Sequence, residues 1–140
     1  MILQELVQYH LETERRRIHT MSQSREDYIK YIFEQGSDGL VSNKSISQGL
    51  RVSAPSVSEM IGKLSEEGLV SYERYQGAKL TESGKKMAID LIRKHEIWEY
   101  FLERELGYNK DEVHELAEVL EHATSTELAN RLAQYIHYPE

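Results

Sequence analysis

Four residues late in the chain, His114, Glu118, Glu121 and His122, stand at i, i+4, i+7 and i+8 within DEVHELAEVLEHATS. On an α-helix that spacing stacks their side chains along one face. Imidazole nitrogens and carboxylate oxygens projecting together form a donor set for a divalent cation such as Mn2+, Fe2+ or Zn2+. They lie beside the apolar positions Val113, Leu116, Ala117 and Leu120. Their carboxylates would repel one another, and a dication removes that penalty. His95 and Glu99 form a second i, i+4 pair, which alone reads as a surface ion pair. Joined by His114, it becomes a candidate second site of two histidines and one glutamate. Asp27 is ambiguous by itself, because capping and the helix dipole favour an acidic residue early in a helix. One turn further on, Lys30 stands where a second hard donor could have been.

Positioning these groups falls to a chain of 140 residues without cysteine. Disulfides and thiolate ligands are thereby excluded, and any metal must take O and N donors. No apolar run approaches the roughly 20 residues that a bilayer requires, and the N-terminus lacks a signal-peptide core, so a cytosolic protein is expected. The net charge of −7 argues against a nucleic-acid partner until its distribution is considered. Residues 43–86 carry seven Lys/Arg against five Glu, a net of +2, while the remainder is net −9. A basic segment beside an acidic one suits a chain in which one part meets phosphate and another holds cations.

Periodicity divides the chain as follows. Residues 1–20 read as an amphipathic helix with Ile2, Leu3, Leu6, Val7 and Leu11 on one side, closed by Arg15–Arg17. Ser24-Arg25-Glu26-Asp27 has the form of a capping box and opens a core helix to about Gln35. A short helix over 43–50, a turn at Arg51–Ser53 and a helix with Pro55 in its first turn form a helix-turn-helix. Val57, Met60, Ile61 and Leu64 supply its buried face, and Ser53, Ser56, Ser58, Glu59 and Lys63 point outward. LVSYERYQGAKLT reads as a hairpin carrying Arg74 and Lys79, two more candidate DNA contacts. Helices over about 82–105, 110–122 and 124–136 complete a chain that is mainly α with one small β hairpin. Helix, helix-turn-helix, hairpin and helix is the order of a winged helix. Glu59 is an unusual residue to present to phosphates, but it can accept from cytosine N4 in a major groove.

The segments REDYIKYIFE, APSVSEMIGKLSEEGLV, YERYQGAKLTESGKK, RKHEIWEYFL and VHELAEVLEHATS, in this order between Ser22 and Tyr138, resemble the DtxR/MntR family of metal-dependent repressors. The resemblance implies an N-terminal extension over 1–21, a winged helix-turn-helix over 22–86 and a helical dimerisation and metal-binding domain over 87–140, without an SH3-like third domain. It implies a homodimer that binds palindromic double-stranded operator DNA when metal-loaded and represses metal-uptake genes, with no organic cofactor and no membrane. Matched residue by residue, Asp27, Glu118, Glu121 and His122 fall on the family's principal site, and His95, Glu99 and His114 on its ancillary one. Ser53, Pro55, Ser58 and Glu59 fall on DNA-facing positions. The iron-responsive branch typically has Met and Cys at the positions of Asp27 and Glu118, so two hard oxygens point to Mn2+, with Fe2+ or Zn2+ as alternatives, up to two ions per subunit. Lys30 departs from the closest manganese regulators, which carry Glu there, and this favours separate sites over a close two-metal cluster. A regulator sensing a small organic ligand is the competing expectation. Catalysis is not expected, since no pair of E-x-x-H elements, no H-E-x-x-H and no nucleophile elbow occurs.

Overall fold

Five helices begin at a side-chain cap. Ser42, Ser53, Thr81, Asn109 and Ser125 each sit in extended backbone and accept a hydrogen bond from the main-chain N–H three residues on. Each cap satisfies a donor that the first helical turn leaves free. The helices so started are α2 (Asn43–Leu50), α3 (Ala54–Glu66), α4 (Glu82–Arg104), α5 (Lys110–Ala123) and α6 (Thr126–Tyr135). They follow α1 (Ile2–Gly36), and a hairpin of β1 (Val70–Glu73) and β2 (Gly77–Leu80) lies between α3 and α4. This computed structural model describes the backbone of residues 2–36 and 39–140, and the side chains of these except 14–23.

Helix α1 runs unbroken past Ser24, which overturns the expected helix end at Arg15–Arg17 and the expected new start at the Ser24 capping box. No proline or glycine interrupts residues 2–35. A serine that could cap a helix stays helical when helix formers continue on both sides of it. The side chains of Arg15–Arg17 lie outside the described residues. Ile2, Leu3, Leu6, Val7 and Leu11 are exposed along the first turns of α1.

Two small cores result, and α4 belongs to both. Ile29 and Ile32 of α1, Ile46 of α2, Val57, Ile61 and Leu64 of α3, Val70, Ala78 and Leu80 of the hairpin and Ala88 of α4 are buried together. Further along α4, Ile97 packs with Ala129, Ala133 and Ile136. With 23 residues, α4 is about 34 Å long, enough to join the winged head to the C-terminal helices as one strut. The Tyr31 hydroxyl donates to the Ser45 carbonyl at 3.0 Å and ties α1 to α2.

Helix-turn-helix and wing have the expected form. Arg51, in left-handed backbone at φ 56°, ends α2. The hairpin pairs Val70 with Leu80 and Glu73 with Gly77. Val41 adds a bridge to Ala78, its N–H donating at 2.7 Å and its carbonyl accepting at 2.9 Å. That approach explains Gly77, at φ 119°, where a Cβ would lie 2.1 Å from the Val41 oxygen.

Candidate metal centre and DNA-facing surface

Helices α1, α4 and α5 meet between the two cores, and their polar residues meet with them. Lys30 of α1 donates to both carboxylate oxygens of Glu121 on α5, at 3.0 and 3.1 Å. Glu121 also faces Nδ1 of His95 on α4 at 3.4 Å, and the other nitrogen of His95 bonds Glu99. Glu99 lies 3.3 Å from Nδ1 of His114, whose Nε2 is 3.3 Å from Glu118. Glu118 returns to Lys30 at 3.9 Å. Base and acid alternate all round this ring of six. Burial is graded across it: the side chain of Glu121 is 1% exposed and that of Lys30 13%, whereas His114 and Glu118 reach 63% and 49%.

A second cluster stands beside the ring. His122 of α5, whose side chain is 1% exposed, places Nδ1 2.9 Å from Glu26 and Nε2 3.1 Å from Asp27, both on α1. One carboxylate thus orients the ring by its Nδ1 while the other nitrogen faces Asp27, an arrangement that often fixes a metal-binding imidazole.

Electrostatics follow from these partners. Burial works against a charged His122, but the hydrogen bonds to Asp27 and Glu26 outweigh it and raise its pKa to about 9. For His95, too, burial opposes the charge and the hydrogen bond with Glu121 overcomes it, leaving the pKa raised. Burial would push Glu121 up, yet hydrogen bonds from His95 and Lys30 bring it below the usual carboxylate range.

The expected sites are therefore regrouped. His95, Glu99 and His114 converge as expected, with one ligand atom from each lying within 4.8 Å of the others. Two imidazole nitrogens and one carboxylate oxygen at that separation fit a divalent cation completed by water. The expected principal quartet is divided, since Asp27 and His122 are in contact while Glu121 belongs to Lys30 and His95, and Glu118 turns to His114. Glu26 was missed by sequence reasoning. Its only sequence signal is adjacency to Asp27, which the capping-box reading absorbed.

On the head, Ser53, Pro55, Ser56, Ser58, Glu59, Lys63, Arg74 and Lys79 are all exposed. Glu59 is 3.3 Å from Lys63, which offsets its charge on the outer face of α3. At the hairpin tip the Arg74 guanidinium stacks over Tyr75, 5.0 Å from the ring centre.

Comparison with known proteins adds an independent line. Residues 20–78 match the family described as iron dependent repressor, N-terminal DNA binding domain, and residues 81–140 the one described as iron dependent repressor, metal binding and dimerisation domain. The chain is 34% identical over 116 residues to the HTH-type transcriptional regulator MntR of Oceanobacillus iheyensis, covering 82% of this chain and 78% of that one. It is 35% identical over 118 residues to the protein of the same name from Geobacillus thermodenitrificans, covering 82% of each. Among solved structures it resembles the manganese regulator SloR, with 46% identity, a TM-score of 0.69, and coverage of 82% of this chain and 54% of that one. It also resembles ScaR with bound Zn2+, at 44% identity, TM-score 0.73 and coverage of 82% and 54%. The chain spans about half the length of these two solved chains.

Proposed function

Since the chain belongs to the iron dependent repressor family, in its DtxR/MntR group, whose members are transcriptional repressors and not enzymes, we propose that it is a metal-responsive repressor acting in the cytoplasm. In this reading it forms a homodimer, binds palindromic operator DNA when loaded with metal, and restrains metal-uptake genes. Mn2+ is the proposed ion, because the donors are carboxylates and imidazoles only and because relatives bear the names MntR and manganese regulator. Residues 22–86 are the reading head and 87–140 the pairing and metal-binding part. Exposed Leu106, Leu116 and Val119, on and just before α5, offer a second copy an apolar face.

The single observation that carries the reading is the junction: Asp27 and Glu26 of the winged head grip His122 of α5, 3.1 and 2.9 Å away. His95, Glu99 and His114 would hold one ion, and Asp27, Glu118, Glu121 and His122 another. When bound, a dication would supply two positive charges to carboxylates that Lys30 and the histidines otherwise balance. The residues do the remaining work. Asp27 and His122 fix the angle between α1 and α5, and through the head they fix where α3 stands. In a dimer, a fixed angle sets the two recognition helices near one turn of DNA apart, about 34 Å, and reduces the orientations frozen on binding.

The test is fluorescence anisotropy of DNA from upstream of a manganese-uptake operon, titrated with the chain and Mn2+. Binding that needs Mn2+, and that falls in Asp27→Ala and His122→Ala at equal metal, supports the reading. Metal-independent binding by the parent, or no saturable uptake of Mn2+ in a calorimetric titration, refutes it and favours a sensor of an organic ligand.

A further inference from the structure

We propose that Lys30 is a built-in competitor for the metal centre, an ammonium that occupies Glu121 until a dication displaces it, and so sets the metal level at which the protein responds. This inference rests on the reading above. Both oxygens of Glu121 accept from Lys30, at 3.0 and 3.1 Å, and Glu121 is fully buried, so a cation from solution meets a carboxylate that the ammonium already occupies. Two cations cannot share it, because a dication and an ammonium a few ångströms apart repel strongly in a site screened from water. Uptake through Glu121 therefore requires the ammonium to leave. Glu118, 3.9 Å from the same ammonium and half exposed, marks the way out to solvent.

The competitor has a second effect. Lys30 lies on α1 and Glu121 on α5, so their ion pair already joins the winged head to the C-terminal helices without metal. In the metal-free protein a single positive charge makes the tie at this carboxylate, beside the contact of His122 with Glu26 and Asp27, and loading exchanges the Lys30 charge for two. The response is an exchange of ties at one carboxylate, and its threshold rises with the strength of the tie to be broken.

The experiment is calorimetric titration of Mn2+ into the chelator-treated 140-residue chain, comparing the parent with Lys30→Met, Lys30→Gln and Lys30→Arg. Methionine keeps the length of the stem without the charge, and glutamine is the more conservative polar variant should the methionine protein fold poorly. Losing the equivalent of one charge-assisted hydrogen bond corresponds to about 10-fold to 100-fold in an equilibrium constant. Lys30→Met and Lys30→Gln are expected to bind Mn2+ tighter by about that factor, with Lys30→Arg near the parent and metal-free melting temperatures lowered in the uncharged variants. A structural role alone would lower the melting temperature and leave Mn2+ affinity unchanged, which overturns the proposal. In the parent, amine acetylation followed by mass spectrometry should find Lys30 protected without metal and reactive at saturating Mn2+. Unchanged protection at saturation likewise overturns it. A parent that takes up no Mn2+ fails at the earlier step and removes the metal reading together with this one.

Discussion

Neutralising Glu121 should destabilise the chain even in the complete absence of metal. Its side chain is 1% exposed and accepts from Lys30, itself only 13% exposed, at 3.0 and 3.1 Å, with His95 at 3.4 Å. Glu121→Gln preserves the shape but removes the carboxylate that Lys30 and His95 share, leaving the Lys30 ammonium without its buried anion in a site with little water. Breaking a buried pair by removing one partner costs about 3–5 kcal/mol, and the partial exposure of Lys30 lowers the expectation to about 2–4 kcal/mol. For a urea slope of about 2 kcal/mol/M, that moves the unfolding midpoint down by about 1–2 M. Replacing both partners, as in Lys30→Met with Glu121→Leu, should recover much of the loss, because a packed apolar pair often matches a buried ion pair. The exposed Arg131–Glu127 pair, 76% and 74% exposed, provides the contrast: Arg131→Ala should change stability by less than about 0.5 kcal/mol. Urea unfolding of chelator-treated protein by circular dichroism measures all of these. A Glu121→Gln midpoint within error of the parent would refute the assignment of Glu121 as the buried hub of the ring.

Other outcomes follow from the same geometry. His122, raised to about 9 by Asp27 and Glu26 against the opposing effect of burial, contributes stability that is fully present below its unfolded pKa of about 6.5 and is lost as pH rises through 9. Metal-free parent should therefore lose stability between pH 7 and pH 9.5, and His122→Gln should flatten that slope in denaturant titrations at the two pH values. Gly84→Ala should disrupt the seat of α4 on the hairpin, since a Cβ would stand 2.1 Å from the Leu69 carbonyl oxygen; a loss exceeding about 2 kcal/mol in thermal unfolding is expected. If Lys63, Arg74 and Lys79 contact phosphates, each alanine variant should reduce the slope of log affinity against log salt by about one, with little change in sequence preference. An unchanged slope removes that residue from the interface.

The sequence was most legible where one local rule decides. The turn at Arg51–Ser53, the helix opening around Pro55 and the hairpin over LVSYERYQGAKLT each rest on a side chain or backbone preference acting within four residues, and the fold follows them. The start of α1 was misread because the Ser24 box competes with uninterrupted helix formers, and a local signal cannot say which wins. At the candidate metal centre, the spacing anticipated the convergence of His95, Glu99 and His114, since two helices crossing at one level are enough for it. It could not divide the remaining candidate ligands. Glu121 and His122 are neighbours in sequence, yet the 100° between successive residues turns one toward Lys30 and His95 and the other toward Glu26 and Asp27. Glu26 and Lys30 acquire their roles only from where α1 lies against α5, a tertiary contact that no periodicity in either helix encodes.

Such a division makes the two candidate metal sites dependent on each other. Glu121 is the joint, bonded on one side to Lys30 and on the other to His95, which in turn bonds Glu99. A cation held by His95, Glu99 and His114 would displace the proton that His95 now donates to Glu99, leaving its other nitrogen as an N–H donor to Glu121. That fixes the Glu121 carboxylate from the α4 side. A cation held through Glu121 instead would compete with His95 for the carboxylate that the two now share. Each event changes the geometry offered to the other, so by linkage each changes the other's affinity by the same factor. Coupling of this kind needs no movement of the cores, because the whole ring lies on the faces that α1, α4 and α5 turn to one another, between the packing of Ile29 and Ile32 on one side and Ile97 on the other.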